Sequence, residues 1–234
     1  MQLDILKALN GARQSREAAV MVTNLQDGSE RLVREGEVVD GALADEIDDR
    51  LRSGKSGTVE IGGNRVFLNV HLPPPRIVII GAVHISQALC PIASLAGFDV
   101  TVIDPRTAFA TPERFEGVEL IADWPEDVLK ERPLDRYTAL AAVTHDPKID
   151  DYALVSALRT GCFYVGALGS RKTHGKRVER LLSEGLSVEQ IGQISAPIGL
   201  DIGASSPPEI AVSVLADIIG SFRRRGVVLS EAAA

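Results

Sequence analysis

Arg76-Ile-Val-Ile-Ile-Gly-Ala-Val-His-Ile-Ser86 decides how this chain folds. Its branched apolar run, Ile77 to Ile80, shows no polar alternation, which predicts a strand buried on both faces, and it stops at a glycine. Beyond the glycine, Ile85, Leu89, Ile92 and Ala96 recur at spacings of 4, 3 and 4, so His84 to Ala96 reads as an amphipathic helix. A second apolar run, Val100 to Ile103, follows. Strand, helix and strand in this order make a βαβ unit with parallel strands.

Working toward the C-terminus, apolar runs at Val118 to Ile121, Leu140 to Val143 and Phe163 to Val165 extend the sheet, with helical segments between them. The last helix is announced by Ser206-Pro207-Pro208-Glu209, a capping serine, prolines in the first turn and a glutamate three residues on. Ile210, Val214, Ile218 and Phe222 form its apolar stripe. Toward the N-terminus, Pro73-Pro74-Pro75 interrupts the chain with residues that donate no ladder hydrogen bond. Ahead of it stand a helix near Leu3 to Ala12, a strand around Ala18 to Leu25, a helix at Leu43 to Leu51, and a hairpin of Thr58 to Ile61 with Arg65 to Val70. The expected fold class is α/β, a Rossmann-like parallel-sheet domain preceded by a small α+β N-terminal domain. The boundaries are residues 1–72 for the small domain, 73–75 for the proline linker, 76–225 for the Rossmann-like domain and 226–234 for a tail.

A net charge of -7 over 234 residues argues against nucleic acid or an anionic membrane surface as the main partner, and suits a small ligand. The N-terminus lacks a basic start with an apolar stretch, and no apolar run approaches the roughly 18 residues of a spanning helix, so a cytoplasmic protein is expected. Cys90 and Cys162, far apart in sequence, suggest neither a disulfide framework nor a zinc site and read as small buried hydrophobes.

Candidate chemistry gathers where apolar runs end. Gly81-Ala-Val-His-Ile-Ser86 stands where a Gly-x-Gly-x-x-Gly dinucleotide fingerprint would, but keeps only the first glycine, and Val83 puts a branched side chain at the second. Asp104 ends the next strand, 23 residues after Gly81 and near the roughly 20 expected of a ribose-binding carboxylate. The fingerprint therefore supports the fold more than NAD(P) binding. Gly169-Ser170-Arg171-Lys172 ends another strand and opens a segment with Lys176, Arg177 and Arg180. A glycine, a capping serine, free helix amides and cations suit a phosphate-like anion, against the bland reading of a solvated basic face. Thr144-His145-Asp146 also follows a strand, where His145 and Asp146 meet a ligand or where Thr144 or Asp146 caps the next helix. His84, at the start of its helix, faces a ligand or caps packing. No catalytic residue set and no metal-ligand spacing emerges.

Taken in order, Gly81-Ala-Val-His84, Asp104-Pro-Arg106, Thr144-His-Asp146, Gly166-Ala-Leu-Gly-Ser-Arg-Lys172, Ala196-Pro-Ile-Gly-Leu-Asp-Ile-Gly203 and Pro208-Glu209-Ile-Ala-Val-Ser213 resemble the XdhC/CoxI family, over nearly all of Leu72 to Phe222. The resemblance implies a carrier and chaperone without turnover of its own. Such a protein holds the molybdenum cofactor (molybdopterin), protects it while a cysteine desulfurase makes its sulfido ligand, and passes it to an apo molybdenum hydroxylase of the xanthine dehydrogenase or carbon monoxide dehydrogenase type. It further implies that Gly169, Ser170, Arg171 and Lys172 hold the pterin's phosphate. Gly81, His84 and Asp104 then border the adjacent cleft, Asp201 and Gly203 complete its wall, and Arg106, His145 and Asp146 are further candidate cofactor contacts. A homodimer is expected from the resemblance and from the frequency of two-fold assemblies. An NAD(P)-binding oxidoreductase or nucleotide sensor is the alternative. The chain departs from the family pattern at Val83 and in Ala18 to Gly54, which is short and lacks the cysteine of the family's Ser-Gly-Gly-Cys-Val-Glu phrase.

Overall fold

The computed structural model describes residues 2–39 and 41–225, apart from the side chain of Arg171. The tail assigned to 226–234 lies outside the described residues. Two compact units are present, one built on the chain up to Pro73 together with Arg223 to Arg225, the other on Pro74–Phe222.

In the first unit the elements are α1 (Leu3–Gln14), β1 (Ala19–Asn24), β2 (Glu30–Arg34), α2 (Ala42–Ser53), β3 (Gly57–Ile61) and β4 (Asn64–His71). The strands form an antiparallel sheet in the order β2-β1-β4-β3. Ala19, Val20, Met21, Val33, Val66 and Leu68 are buried, and α2 adds Ile47 and Leu51. The sequence patterning misses β2. Its Glu30, Arg31 and Arg34 suit an edge strand, where charges discourage further pairing, and they conceal its apolar member Val33.

The second unit runs β5 (Arg76–Ile80), α3 (His84–Leu95), β6 (Asp99–Ile103), a 3-10 turn (Pro112–Arg114), β7 (Glu119–Ile121), α4 (Pro125–Glu131), β8 (Thr138–Ala142), α5 (Pro147–Thr160), β9 (Tyr164–Ala167), α6 (Arg171–Ser183), α7 (Val188–Ile191), β10 (Ile194–Ser195) and α8 (Pro207–Arg224). Its six strands are parallel, in the order β10-β9-β8-β5-β6-β7. Read from the other end, this is the doubly wound order 3-2-1-4-5-6, and its direction reverses between β5 and β8. The expected fold class is therefore found.

Two apolar layers sandwich the sheet. One face packs Val78, Ile80, Leu140 and Val165 against Leu154 and Leu158 of α5 and Leu181 of α6. The other packs Ile77, Ile79, Ala139 and Ala141 against Leu89 and Ala93 of α3 and Val214 and Ile218 of α8. Burial on both faces is why β5 and β8 carry no polar alternation. The cap of α8 forms as its sequence predicts, with Glu209 Oε2 accepting from the amides of Ser205 (2.7 Å) and Ser206 (3.0 Å). Ile80, Ile103, Ala142 and Ala167 are register partners across β5, β6, β8 and β9, so these strands end on a common row.

Candidate functional site

The loops leaving that row hold nearly every residue singled out in the sequence. After β5, Gly81 has φ 118, and a methyl group there would meet Thr144 Cγ2 at 2.6 Å, so the glycine lets the β5 and β8 loops touch. This contact lies at the switch point, the usual ligand crevice of open α/β sheets.

The fingerprint loop is closed from within. The Gly81 amide donates to Ile103 O (2.9 Å), the Ala82 amide to Asp104 Oδ2 (2.7 Å), and the Val83 amide to Ser86 Oγ (2.8 Å). Ser86, at the third glycine position, also donates to Gly81 O at 2.6 Å. Arg114 reaches Ala82 O (3.2 Å) and Gln87 Oε1 (2.8 Å), tying the loop from outside. Three amides of the loop, those of Gly81, Ala82 and Val83, are thus spent on internal acceptors. Val83 is half-buried against the apolar layer of α3, and hydrogen bonding braces the loop beside it.

Asp104 is fully buried and pairs with Arg106 through Nε to Oδ1 (2.9 Å) and Nη2 to Oδ2 (2.7 Å), and the Arg106 amide adds a bond to Oδ1 at 2.9 Å. Burial pushes its pKa up, but the bonds from Arg106 and Ala82 outweigh burial and hold the carboxyl below its ordinary range. Arg106 also lies 4.8 Å over the Phe109 ring. The residue placed at the ribose position thus braces the loop.

After β8, Asp146 caps α5 by accepting from the Lys148 amide (3.0 Å), which realises the capping alternative. His145, exposed, has φ 68, a left-handed conformation unusual for a residue with a Cβ. Its amide donates to Asp150 Oδ2 (3.1 Å), and Thr144 Oγ1 donates to Asp150 Oδ1 (2.8 Å).

After β9, Gly169 has φ 136, and Ser170 caps α6 by accepting from the Thr173 amide (3.3 Å). The first amides of α6, at Arg171 and Lys172, have no carbonyl four residues back within the helix, as at any helix start. A methyl group on Gly169 would stand 3.8 Å from His145 Nδ1, so the β8 and β9 loops meet over this turn. Lys172 is exposed, and the side chain of Arg171 lies outside the described residues. The basic run behind the turn is not a solvated face throughout. Arg177 is buried and bonds Leu168 O (2.9 Å), and Arg180 pairs with both carboxylate oxygens of Asp151.

His84 is exposed as the first residue of α3. Asp201 and Gly203 are exposed on the segment between β10 and α8. Gly166 lets Ile198 and Tyr164 close on β9, since a methyl group there would lie 2.6 Å from Ile198 Cγ1. Both cysteines are buried, and burial pushes each thiol up to about 12. Among the described residues, no helix is long and apolar enough to cross a membrane. Sequence reasoning misses Ser86, Arg114 and Asp150, and reads Arg177 only as part of a basic run. Helical phase carries a trace of two of them, because Asp150 precedes buried Leu154 by four residues and Arg177 precedes buried Leu181 by four.

Fold and site together define a doubly wound Rossmann-type protein whose usual nucleotide loop is braced from within and whose Gly169 turn lies two strands away. Residues 77–218 match the XdhC Rossmann domain, and the chain belongs to that family. It is 35% identical over 164 residues to a Bacillus subtilis protein named as a probable subunit of xanthine dehydrogenase, covering 70% of this chain and 48% of the relative. It is 30% identical over 146 residues to the molybdenum cofactor insertion chaperone PaoD of Escherichia coli, covering 62% and 40%. The chain thus spans less than half the length of these curated relatives. A crystal structure of a xanthine dehydrogenase from Bacillus halodurans superposes with a TM-score of 0.62 at 26% identity, over 95% of this chain and 65% of that one.

Proposed function

We propose that this protein is a carrier for the molybdenum cofactor, serving the maturation of a molybdenum hydroxylase of the xanthine dehydrogenase type. One relative is named a molybdenum cofactor insertion chaperone and another a probable xanthine dehydrogenase subunit, which supports the cargo and the client class. The observation that carries the reading is the contrast along the ligand edge. The dinucleotide loop has the amides of Gly81, Ala82 and Val83 taken by Ile103, Asp104 and Ser86, whereas at the Gly169 turn Ser170 takes only the Thr173 amide, which supports reading the first amides of α6 as the anion contact, with His145 beside them.

In this reading the pterin's phosphate rests on Gly169, Ser170, Arg171 and Lys172, with His145 over it. Gly81, His84, Asp104, Arg106 and Asp146 border the cleft across the switch point, and Asp201 and Gly203 stand on its β9 side. Asp104 and Arg106 act by bracing the Gly81 loop rather than by meeting a ribose. The protein holds and hands over its cargo without turnover. A cysteine desulfurase that sulfurates the bound cofactor, the apo hydroxylase, a second copy of the chain and a cytoplasmic setting complete the proposal.

The test is purification from cells that make the cofactor, followed by assay of bound molybdenum and of pterin fluorescence after oxidation. Near-stoichiometric pterin that falls several-fold in Arg171→Ala is expected. An empty protein after anaerobic reconstitution with the cofactor, together with heat on titration with NADH or NADPH, would replace the carrier by a nucleotide-binding protein.

A further inference from the structure

A buried pair of charges lies behind the open turn. Asp150, in the first turn of α5, is fully buried, and Arg177, midway along α6, is 2% exposed. Asp150 holds the loop leaving β8, accepting the Thr144 hydroxyl on one oxygen and the His145 amide on the other. Arg177 holds the turn leaving β9 through Leu168 O, while its Nε and Nη1 are buried with no hydrogen-bond partner among the described residues. Two donors of this buried guanidinium are thus unclaimed, while the charges of Asp150 and Asp151 act on it from α5.

The charges around Asp150 sort accordingly. It feels Arg177 from α6 and Asp151 beside it, and it is itself felt by Arg106 from the β6 loop and by Arg180 further along α6. Arg106 is committed to Asp104, and Arg180 to Asp151. Lys172 and Lys176 stand in water, where screening weakens their pull. Arg177, in contrast, lies beneath the turn where the ligand's anionic end is proposed to rest.

We infer that Asp150 and Arg177 are positioning residues of the anion site: Asp150 fixes His145 against Gly169, and Arg177 supplies, from behind the turn, the positive charge that draws the anion to it. The inference rests on the reading of the Gly169 turn as an anion site. It explains why His145 keeps a left-handed backbone at φ 68, since the bond to Asp150 holds that conformation in place. It also assigns attraction to a buried residue rather than to the more conspicuous exposed lysines.

The experiment follows the Gly169, Ser170 and His145 resonances of the labelled full chain by NMR while inorganic sulfate is added. Sulfate stays a dianion across the working range and so separates protein from probe titration. In the unaltered protein the Gly169 and Ser170 amides move on saturation. Arg177→Met weakens sulfate by about 10-fold and Arg177→Lys by about 3-fold, because lysine restores charge without the planar fork. Lys176→Ala, which deletes the same charge one residue away on the exposed side, changes affinity by less than about 2-fold. Asp150→Asn, with no anion present, displaces the His145 and Gly169 signals together.

Equal weakening in Arg177→Met and Lys176→Ala overturns the role of Arg177. Unmoved His145 and Gly169 signals in Asp150→Asn overturn that of Asp150. Should Arg177→Met not fold, Arg177→Lys decides, and affinity equal to the unaltered protein counts against the inference. A sulfate titration that leaves Gly169 and Ser170 unmoved in the unaltered protein instead rejects the anion-site reading itself.

Discussion

The loop after β5 and the turn after β9 start alike and end differently. Each leaves the same row of the sheet, opens on a glycine of positive φ (118 for Gly81, 136 for Gly169) and leads into a helix. In the first, Asp104 and Ser86 take the amides of Ala82 and Val83, and Arg114 binds the outer carbonyl. In the second, Ser170 takes the Thr173 amide, and the first amides of α6, like those of His84 and Ile85 in α3, have no acceptor within the helix. Two strand–glycine–helix corners of one sheet thus differ in which neighbouring side chains claim their donors. Backbone shape alone does not decide.

The strongest way to break the contrast is Asp104→Ala. It frees the Ala82 amide and leaves Arg106 without its partner, and the loss of a buried, multiply bonded charge is expected to cost about 4 kcal/mol in urea unfolding. If the loop is only a brace, NADH still does not bind the variant. Gly81→Ala against Gly169→Ala sharpens the comparison. The first adds a methyl group 2.6 Å from Thr144 Cγ2 and the second one 3.2 Å from Thr173 Cβ, so losses of about 3 and about 1.5 kcal/mol are expected in thermal or chemical denaturation. Pterin retention should fall further in the Gly169 variant, reversing the order of the stability losses.

The smallest effect is a pH dependence. Burial, only partly opposed by the Thr144 hydrogen bond and the Arg177 charge, pushes Asp150 up to about 6, above its value in the unfolded chain. The folded state then binds the proton more readily, so the penalty for holding Asp150 charged is present at neutral pH and relieved as pH falls through about 6. Between pH 7 and pH 5 the unaltered protein should gain about 1 kcal/mol relative to Asp150→Asn. A gap that stays constant, or that closes in the other direction, would show that Asp150 is not a raised carboxyl.

The fold was legible because its signals are long or repeated. Ile77 to Ile80 has no room for a polar face, and the spacing of Ile85, Leu89, Ile92 and Ala96 admits only a helix. The elements left unread are short or disguised. β10 has two residues, α7 has four, β2 is charged at its edge, and α4 begins at Pro125, a residue read more readily as a breaker than as a first helical position. For the candidate site, sequence pointed to the loops but not to the partners that their side chains take. Spacing puts Asp104 at the end of the second strand whether it faces a ribose or the Ala82 amide, because both partners lie beyond that strand's end. Likewise Lys176, Arg177 and Arg180 look alike as letters. Only their angular position on α6 separates an exposed lysine, a buried guanidinium and a partner for Asp151.

The shared row formed by Ile80, Ile103, Ala142 and Ala167 turns the ligand edge into a ruler. From the β6 loop that carries Arg106 to the β9 turn that carries Ser170 there are three strand spacings, about 14 Å at roughly 4.8 Å each. A single tetrahedral anion reads one mark on this scale. Only an elongated molecule laid across the strands touches both ends, so on the carrier proposal a comparison of the whole cofactor with its isolated phosphate measures how much of the ledge is used.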